Sequence, residues 1–207
     1  MIENIKYKKV VVVVSIIMAV LFLVNLVISL DCNLLMVVLT SGGHLVNYIG
    51  ASYDTAFIDL QLYRLITYGY LQPAIWHLLA NVFALWYVGI YLERKIGTLR
   101  LVIIYHFGVI FPCIAFILLF PNGYIYGASP AIFCCLGMMT TWLVKDKALW
   151  NEYKYIKGNR YLICYMIISN FLGSGTLVIH LLGFCLGLFV GLVVKKKGYW
   201  KLIPMIL

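Results

Sequence analysis

Between Val10 and Leu30 the chain runs for about 20 residues without a charged side chain, and five further apolar runs follow. At 1.5 Å per residue a helix over such a run is about 30 Å long, the thickness of a bilayer's hydrocarbon core. The runs cover about 10–30, 75–92, 101–120, 129–144, 155–172 and 176–194. They stop at charges or turn formers: Glu93-Arg94-Lys95, Pro121-Asn122-Gly123, Lys145-Asp146-Lys147, Gly173-Ser174-Gly175 and Lys195-Lys196-Lys197. The fifth has a short apolar part, Tyr161–Leu172, and is expected to extend back toward Tyr153 with lysines snorkelling. Only 11% of the 207 residues are charged, against about 25% in an average soluble domain. Such a chain cannot cover a water-facing surface. The expected fold is an all-α membrane protein, one six-transmembrane-helix domain over 1–207. Residues 31–74 are too apolar for an aqueous loop but lack a clean run. They are expected to form a partly embedded first loop with short interfacial helices.

The net charge of +9 would suggest nucleic acid in a soluble protein. Here the basic residues sit between the runs, so topology accounts for them and no nucleic acid is expected. With the N-terminus in the cytoplasm and six spans, 15 of the 16 basic residues are cytoplasmic and only Arg64 lies outside, as the positive-inside rule requires. Both termini are therefore expected in the cytoplasm. The first run exceeds a signal peptide's apolar core of roughly 7–15 residues, and Ser29-Leu30-Asp31-Cys32 is a poor cleavage site, so an uncleaved first span is expected. A bacterial plasma membrane suits this compact plan. Five of the six cysteines (Cys113, Cys134, Cys135, Cys164, Cys185) lie inside apolar runs and no CxxC pair occurs. They read as small buried hydrophobes.

Polar residues at membrane depth are costly and are functional candidates. His77, Asn81, Ser129 and His180 all fall near the outer ends of their spans. Ser129, in Gly127-Ala128-Ser129-Pro130-Ala131, reads as an N-cap with proline at N1. A helix start also offers free backbone N–H groups to an oxyanion. His180 lies three residues before Gly183, on the face of the stripe Gly183, Gly187 and Gly191 that allows close helix packing. It faces a partner helix, where an imidazole can serve as the base a serine needs. His77 and Asn81 share a face at i, i+4 and can donate to an oxyanion or to a neighbouring helix. No His-Glu-x-x-His occurs, and every Asp and Glu lies in a loop or at a span end, which leaves serine chemistry. His106 reads as a structural hydrogen bonder and His44 as a solvated loop residue.

The ordered set resembles the rhomboid family. His77-Leu78-Leu79-Ala80-Asn81 is similar to its HxxxN motif, Gly127-Ala128-Ser129 to the start of GxSG, and His180-Leu181-Leu182-Gly183 with Gly187 to HxxGxxxG. Tyr63-Arg64 resembles the aromatic–arginine pair of the first loop, and Glu93 the acidic residue closing the second span. The likeness runs from about Asp59 to Gly191. It implies an intramembrane serine endopeptidase with Ser129 as nucleophile and His180 as base. His77, Asn81 and the Ser129 N–H would form the oxyanion hole, and Phe133 would stack on His180. The implied substrates are transmembrane proteins cut near the outer membrane face, with no metal or cofactor. Pro130 departs from the family's glycine after the serine. It loses an N–H and fixes φ, and it favours a second reading, a catalytically silent rhomboid-like protein that binds membrane proteins. Gln72 and Tyr68 stand where relatives often carry histidines. A small transporter is disfavoured by the absence of inverted repeats and buried carboxylates.

Overall fold

The computed structural model describes residues 8–40, 43–155, 158–171 and 175–195. Expectations placed on Lys6, Gly42, Lys157, Leu172, Gly173, Ser174, Lys196, Lys197 and Lys201 lie outside the described residues. The main helices are α1 (Lys9–Ile28), α5 (Ile75–Ile96), α6 (Thr98–Leu119), α7 (Ser129–Lys145), α9 (Asn159–Ile168) and α10 (Thr176–Val193). Short helices α2 (Leu34–Leu39), α3 (Leu45–Ile49) and α4 (Arg64–Thr67) build the first loop, and α8 (Lys147–Tyr153) follows α7. The chain is an all-α membrane bundle. Among the described residues, α1, α5, α6 and α10 are long and apolar enough to cross a membrane.

One boundary differs from expectation. The run at 155–172 holds a helix only over Asn159–Ile168, continued by a 3-10 turn at Ser169–Phe171, and Tyr153 belongs to the separate helix α8. Asp146 separates that helix from α7. Its side chain accepts hydrogen bonds from the Ala148 and Leu149 N–H groups and starts a new helix.

Helix α7 is the centre of the bundle. Fourteen of its 17 residues are buried, so protein surrounds it on all sides and it needs no lipid-facing stripe. At about 25 Å it is shorter than a hydrocarbon core of about 30 Å. The glycine stripe makes this packing possible. A Cβ at Gly183 would overlap the Pro130 carbonyl, and one at Gly187 the Cys134 carbonyl; on α7, one at Gly137 would overlap the Phe184 carbonyl. The backbones of α7 and α10 therefore touch. Across α7, a Cβ at Gly108 of α6 would stand 2.8 Å from the Ala131 Cα.

Glu93 ties the far end together. It is fully buried at the end of α5, and its carboxylate accepts from the Val10 N–H at 3.3 Å and the Thr98 hydroxyl at 2.8 Å. It thus sits at the starts of α1 and α6, where free N–H groups and the helix dipole favour an anion. About 16 residues, or roughly 24 Å of helix, separate it from His77. Lys95 pairs with Glu152 of α8 at 3.0 Å beside it.

Arg64 organises the first loop. It is buried and donates to the Gln61 side chain and to the Asn47 and Gly50 carbonyls, the last two at 2.8 and 2.9 Å. Strand β1 (Ala51–Ser52) then pairs antiparallel with β2 (Tyr124–Ile125) just before α7. The loop turns Leu35, Met36, Leu39, Ile58, Leu62 and Ile66 outward, a surface suited to lipid. Cys113, Cys134 and Cys135 are buried, whereas Cys164 and Cys185 are exposed on the bundle's outside, so the buried-hydrophobe expectation fails for those two. His106 is the hydrogen bonder expected. Its Nδ1–H donates to the Val102 carbonyl at 2.8 Å, which leaves Nε2 to accept from the Tyr70 hydroxyl at 2.9 Å.

Candidate active site

At the loop end of the bundle a cavity of about 240 Å³ is lined by His77 and Asn81 of α5, Ser129 and Pro130 of α7, and His180 of α10. At about 30 Å³ per water it has room for several waters. The four polar residues singled out in the sequence therefore share one space, though they come from three helices.

Ser129 is the first residue of α7, with Ala128 at the N-cap and no side-chain cap hydrogen bond. The sequence-based expectation of a serine cap fails. Gly127 takes φ +112°, and its N–H donates to the Tyr68 carbonyl at 2.8 Å, so the helix begins one residue earlier than expected. Pro130 falls in the first turn, where its missing N–H costs no intrahelical bond. The Ser129 hydroxyl is thereby released from capping. A Cβ on Gly127 would stand 2.7 Å from the His77 ring, so glycine is needed here for space as well as conformation.

His180 is held from two sides. Its ring stacks on Phe133 at 4.1 Å between centroids and 10° between planes. Its Nδ1 lies 2.9 Å from Asn170 Oδ1. The Asn170 amide nitrogen donates to the Met166 carbonyl, so Oδ1 is the end that faces the ring. Nδ1 therefore carries the proton, and Nε2 keeps its lone pair. Nε2 is buried with no hydrogen-bond partner among the described residues. The Ser129–His180 hydrogen bond is not formed in this arrangement; catalytic hydrogen bonds often tighten only when substrate is bound.

Asn81 is fixed at both ends of its amide. Its Nδ2 donates to Gln72 Oε1 at 2.7 Å, and its Oδ1 accepts from the Tyr165 hydroxyl at 2.6 Å. One of its two N–H donors remains for the cavity. His77 stacks on Trp76 at 5.4 Å and meets Tyr126 edge-on at 6.2 Å. Its Nδ1 is buried without a partner among the described residues. An unpaired buried polar atom costs about 1–3 kcal/mol, and both histidines that carry one line the same cavity.

Of the residues expected to support the site, Phe133 and Gly127 touch its histidines, Gly183 and Gly187 bring α10 against α7, and Arg64 and Glu93 lie apart as braces. The sequence did not mark Asn170 or Tyr165, and it marked Gln72 only as a residue standing where relatives often carry histidines. A signal existed for Tyr165: with Tyr161 it forms an i, i+4 pair, and a buried tyrosine hydroxyl needs an acceptor. Tyr161 donates to the Ala80 carbonyl at 2.9 Å, so the pair fastens α9 to α5.

The fold and the cavity define a multi-pass membrane protein with a serine, two histidines and an asparagine gathered at one end of its bundle. Residues 59–197 match the family model of the Rhomboid domain, and the chain belongs to the rhomboid family. It is 32% identical over 148 residues to RHOMBOID-like protein 7 of Arabidopsis thaliana, covering 68% of this chain and 46% of that protein. It is 32% identical over 91 residues to Rhomboid-like protease 3 of Toxoplasma gondii, covering 44% of this chain and 35% of that protein. It is 29% identical over 103 residues to Inactive RHOMBOID-like protein 8 of Arabidopsis thaliana, covering 50% of this chain and 29% of that protein. The chain spans less than half the length of these relatives.

Proposed function

We propose that the chain is an intramembrane serine endopeptidase that cleaves transmembrane protein substrates near the outer face of a plasma membrane, with both termini cytoplasmic. The observation that carries this reading is the orientation of His180: Asn170 holds the proton on Nδ1, Phe133 holds the plane, and the Nε2 lone pair is left for the cavity that Ser129 lines. In the reaction Ser129 Oγ bonds to the scissile carbonyl carbon as its proton passes to His180 Nε2. The peptide C–N bond then breaks and the imidazolium protonates the leaving amine. Water repeats the sequence on the ester, with His180 again taking and returning the proton. His77, Asn81 and the Ser129 N–H stabilise the oxyanion, and no metal or cofactor takes part.

The reading is tested with a single-span substrate in liposomes. Wild type is expected to cleave it, and a serine-reactive fluorophosphonate is expected to label Ser129. A second reading, a silent binding protein, draws on Pro130 and on the similarity to a relative named inactive. It predicts no cleavage and no labelling by wild type, with cleavage appearing in Pro130→Gly. His77→Ala and Asn81→Ala are each expected to lower kcat by about 10–1,000-fold, the scale of one oxyanion donor, with KM little changed. Full retention of kcat in both would remove them from the oxyanion role.

A further inference from the structure

Asp31, Cys32 and His44 take no part in the proposed active site, yet their side chains converge. His44 Nε2 lies 2.9 Å from each Asp31 oxygen. Cys32 Sγ lies 3.7 Å from His44 Nε2 and 3.7 Å from Asp31 Oδ1. All three ligating atoms fall within 4.8 Å of one another. Bonds of about 2.0–2.3 Å at tetrahedral angles set donor atoms roughly 3.3–3.6 Å apart. The observed spacings lie on both sides of that range, so a few tenths of an ångström of side-chain movement suffice. Asp31 and His44 form an ion pair, and the Cys32 thiol is within hydrogen-bond reach of both, so all three donors already face one point.

The platform beneath is firm. The His44 N–H donates to Ser29 Oγ at 2.8 Å, and the Leu45 N–H to Asn25 Oδ1 at 3.1 Å. Ser29 and Asn25 are fully buried at the end of α1, and the Cys32 N–H donates to the Ser29 carbonyl at 3.0 Å. Two segments twelve residues apart are thus anchored to the same helix end before any ligand arrives, which is the preorganisation a metal site requires.

We propose that Asp31, Cys32 and His44 bind a divalent transition-metal ion of the zinc type where the first loop meets the end of α1. The donor set selects the metal. Thiolate, imidazole and carboxylate together suit zinc and its neighbours, whereas calcium and magnesium take oxygen ligands. On binding, the Cys32 thiol gives its proton to solvent, and the ion replaces the proton on His44 Nε2 that faces Asp31, so that the ligating imidazole is protonated only at Nδ1. The two negative ligands then balance the ion, leaving a neutral centre beside exposed Leu30 and Leu35. Water takes the fourth position. The ion joins the loop to α1, and the chain continues directly into α2, whose Leu39 carbonyl accepts from the Trp76 indole of the cavity wall at 3.0 Å.

The test uses the full chain in detergent, without a histidine tag, titrated with Co²⁺ as a spectroscopic probe. One equivalent is expected to give a thiolate-to-cobalt charge-transfer band and tetrahedral visible bands, both bleached by Zn²⁺. Cys32→Ala should abolish the charge-transfer band, and His44→Ala should weaken binding at least tenfold. Removing the exposed Cys164 and Cys185 should change neither. Each variant must elute as a single species. A second readout needs no variant: Zn²⁺ should slow maleimide labelling of Cys32 at least tenfold. A wild type without the band, a band that survives Cys32→Ala, or labelling unaffected by Zn²⁺ each overturns the site.

Discussion

Ser129→Ala is expected to lower cleavage of a single-span substrate by about 10,000-fold or more, with the protein still inserted and eluting as wild type. The reason is chemical. Ser129 Oγ is the atom proposed to form the acyl bond, and among the described residues of α7 it is the hydroxyl that lines the cavity. His180→Ala should cost about as much, because a serine without a base is a poor nucleophile. Removing both should cost no more than removing one, since two residues that act as a unit are not additive. Neither change disturbs packing greatly: Ser129 bonds no cap, and His180 has one hydrogen bond and one stacked ring. Substrate cleaved by purified Ser129→Ala at more than a hundredth of the wild-type rate would sink the serine mechanism, whatever the fold.

The second large effect concerns stability. Gly187→Leu is expected to destabilise the fold by about 3 kcal/mol or more, read as loss of the monodisperse species or a fall in the thermal midpoint in detergent. Any Cβ at Gly187 meets the Cys134 carbonyl, and backbone on both sides cannot step aside as a side chain would. The control is Leu192→Ala on the same helix, 58% exposed on the outside, which should change stability by under about 0.5 kcal/mol. Equal behaviour of the two variants would mean that α7 and α10 are not in backbone contact.

How far the sequence disclosed this arrangement depends on range. Features that repeat along one helix were readable. The glycines at 183, 187 and 191 marked the α10 face that meets α7, and His77 with Asn81 marked one face of α5. The long apolar runs marked most of the helices. Contacts made between elements were hidden. Nothing in Asn170 announces that it would face His180, since it lies in a different turn ten residues earlier. Gln72 looked like a departure from a motif and proves to hold the Asn81 amide. Ser129 misled through propensity: serine before proline is a good cap, but the left-handed turn at Gly127 lets the helix start sooner. The break before α8 was open to reading, because Asp146 is a strong N-cap placed between two lysines. The pairing of Asp31 with His44 was not, because twelve residues, among them the short helix α2, separate them.

The two-residue ladder between Ala51–Ser52 and Tyr124–Ile125 gives the molecule a mechanical property. Tyr124 also donates to the Val46 carbonyl, and Arg64 clamps Gly50 from the other side. The first loop and the strand leading to Ser129 are thus stitched at several points within a few residues. The stitch therefore ties the position of the first loop to that of the strand leading into the helix that carries Ser129, so the two segments form one mechanical unit at the cavity's rim.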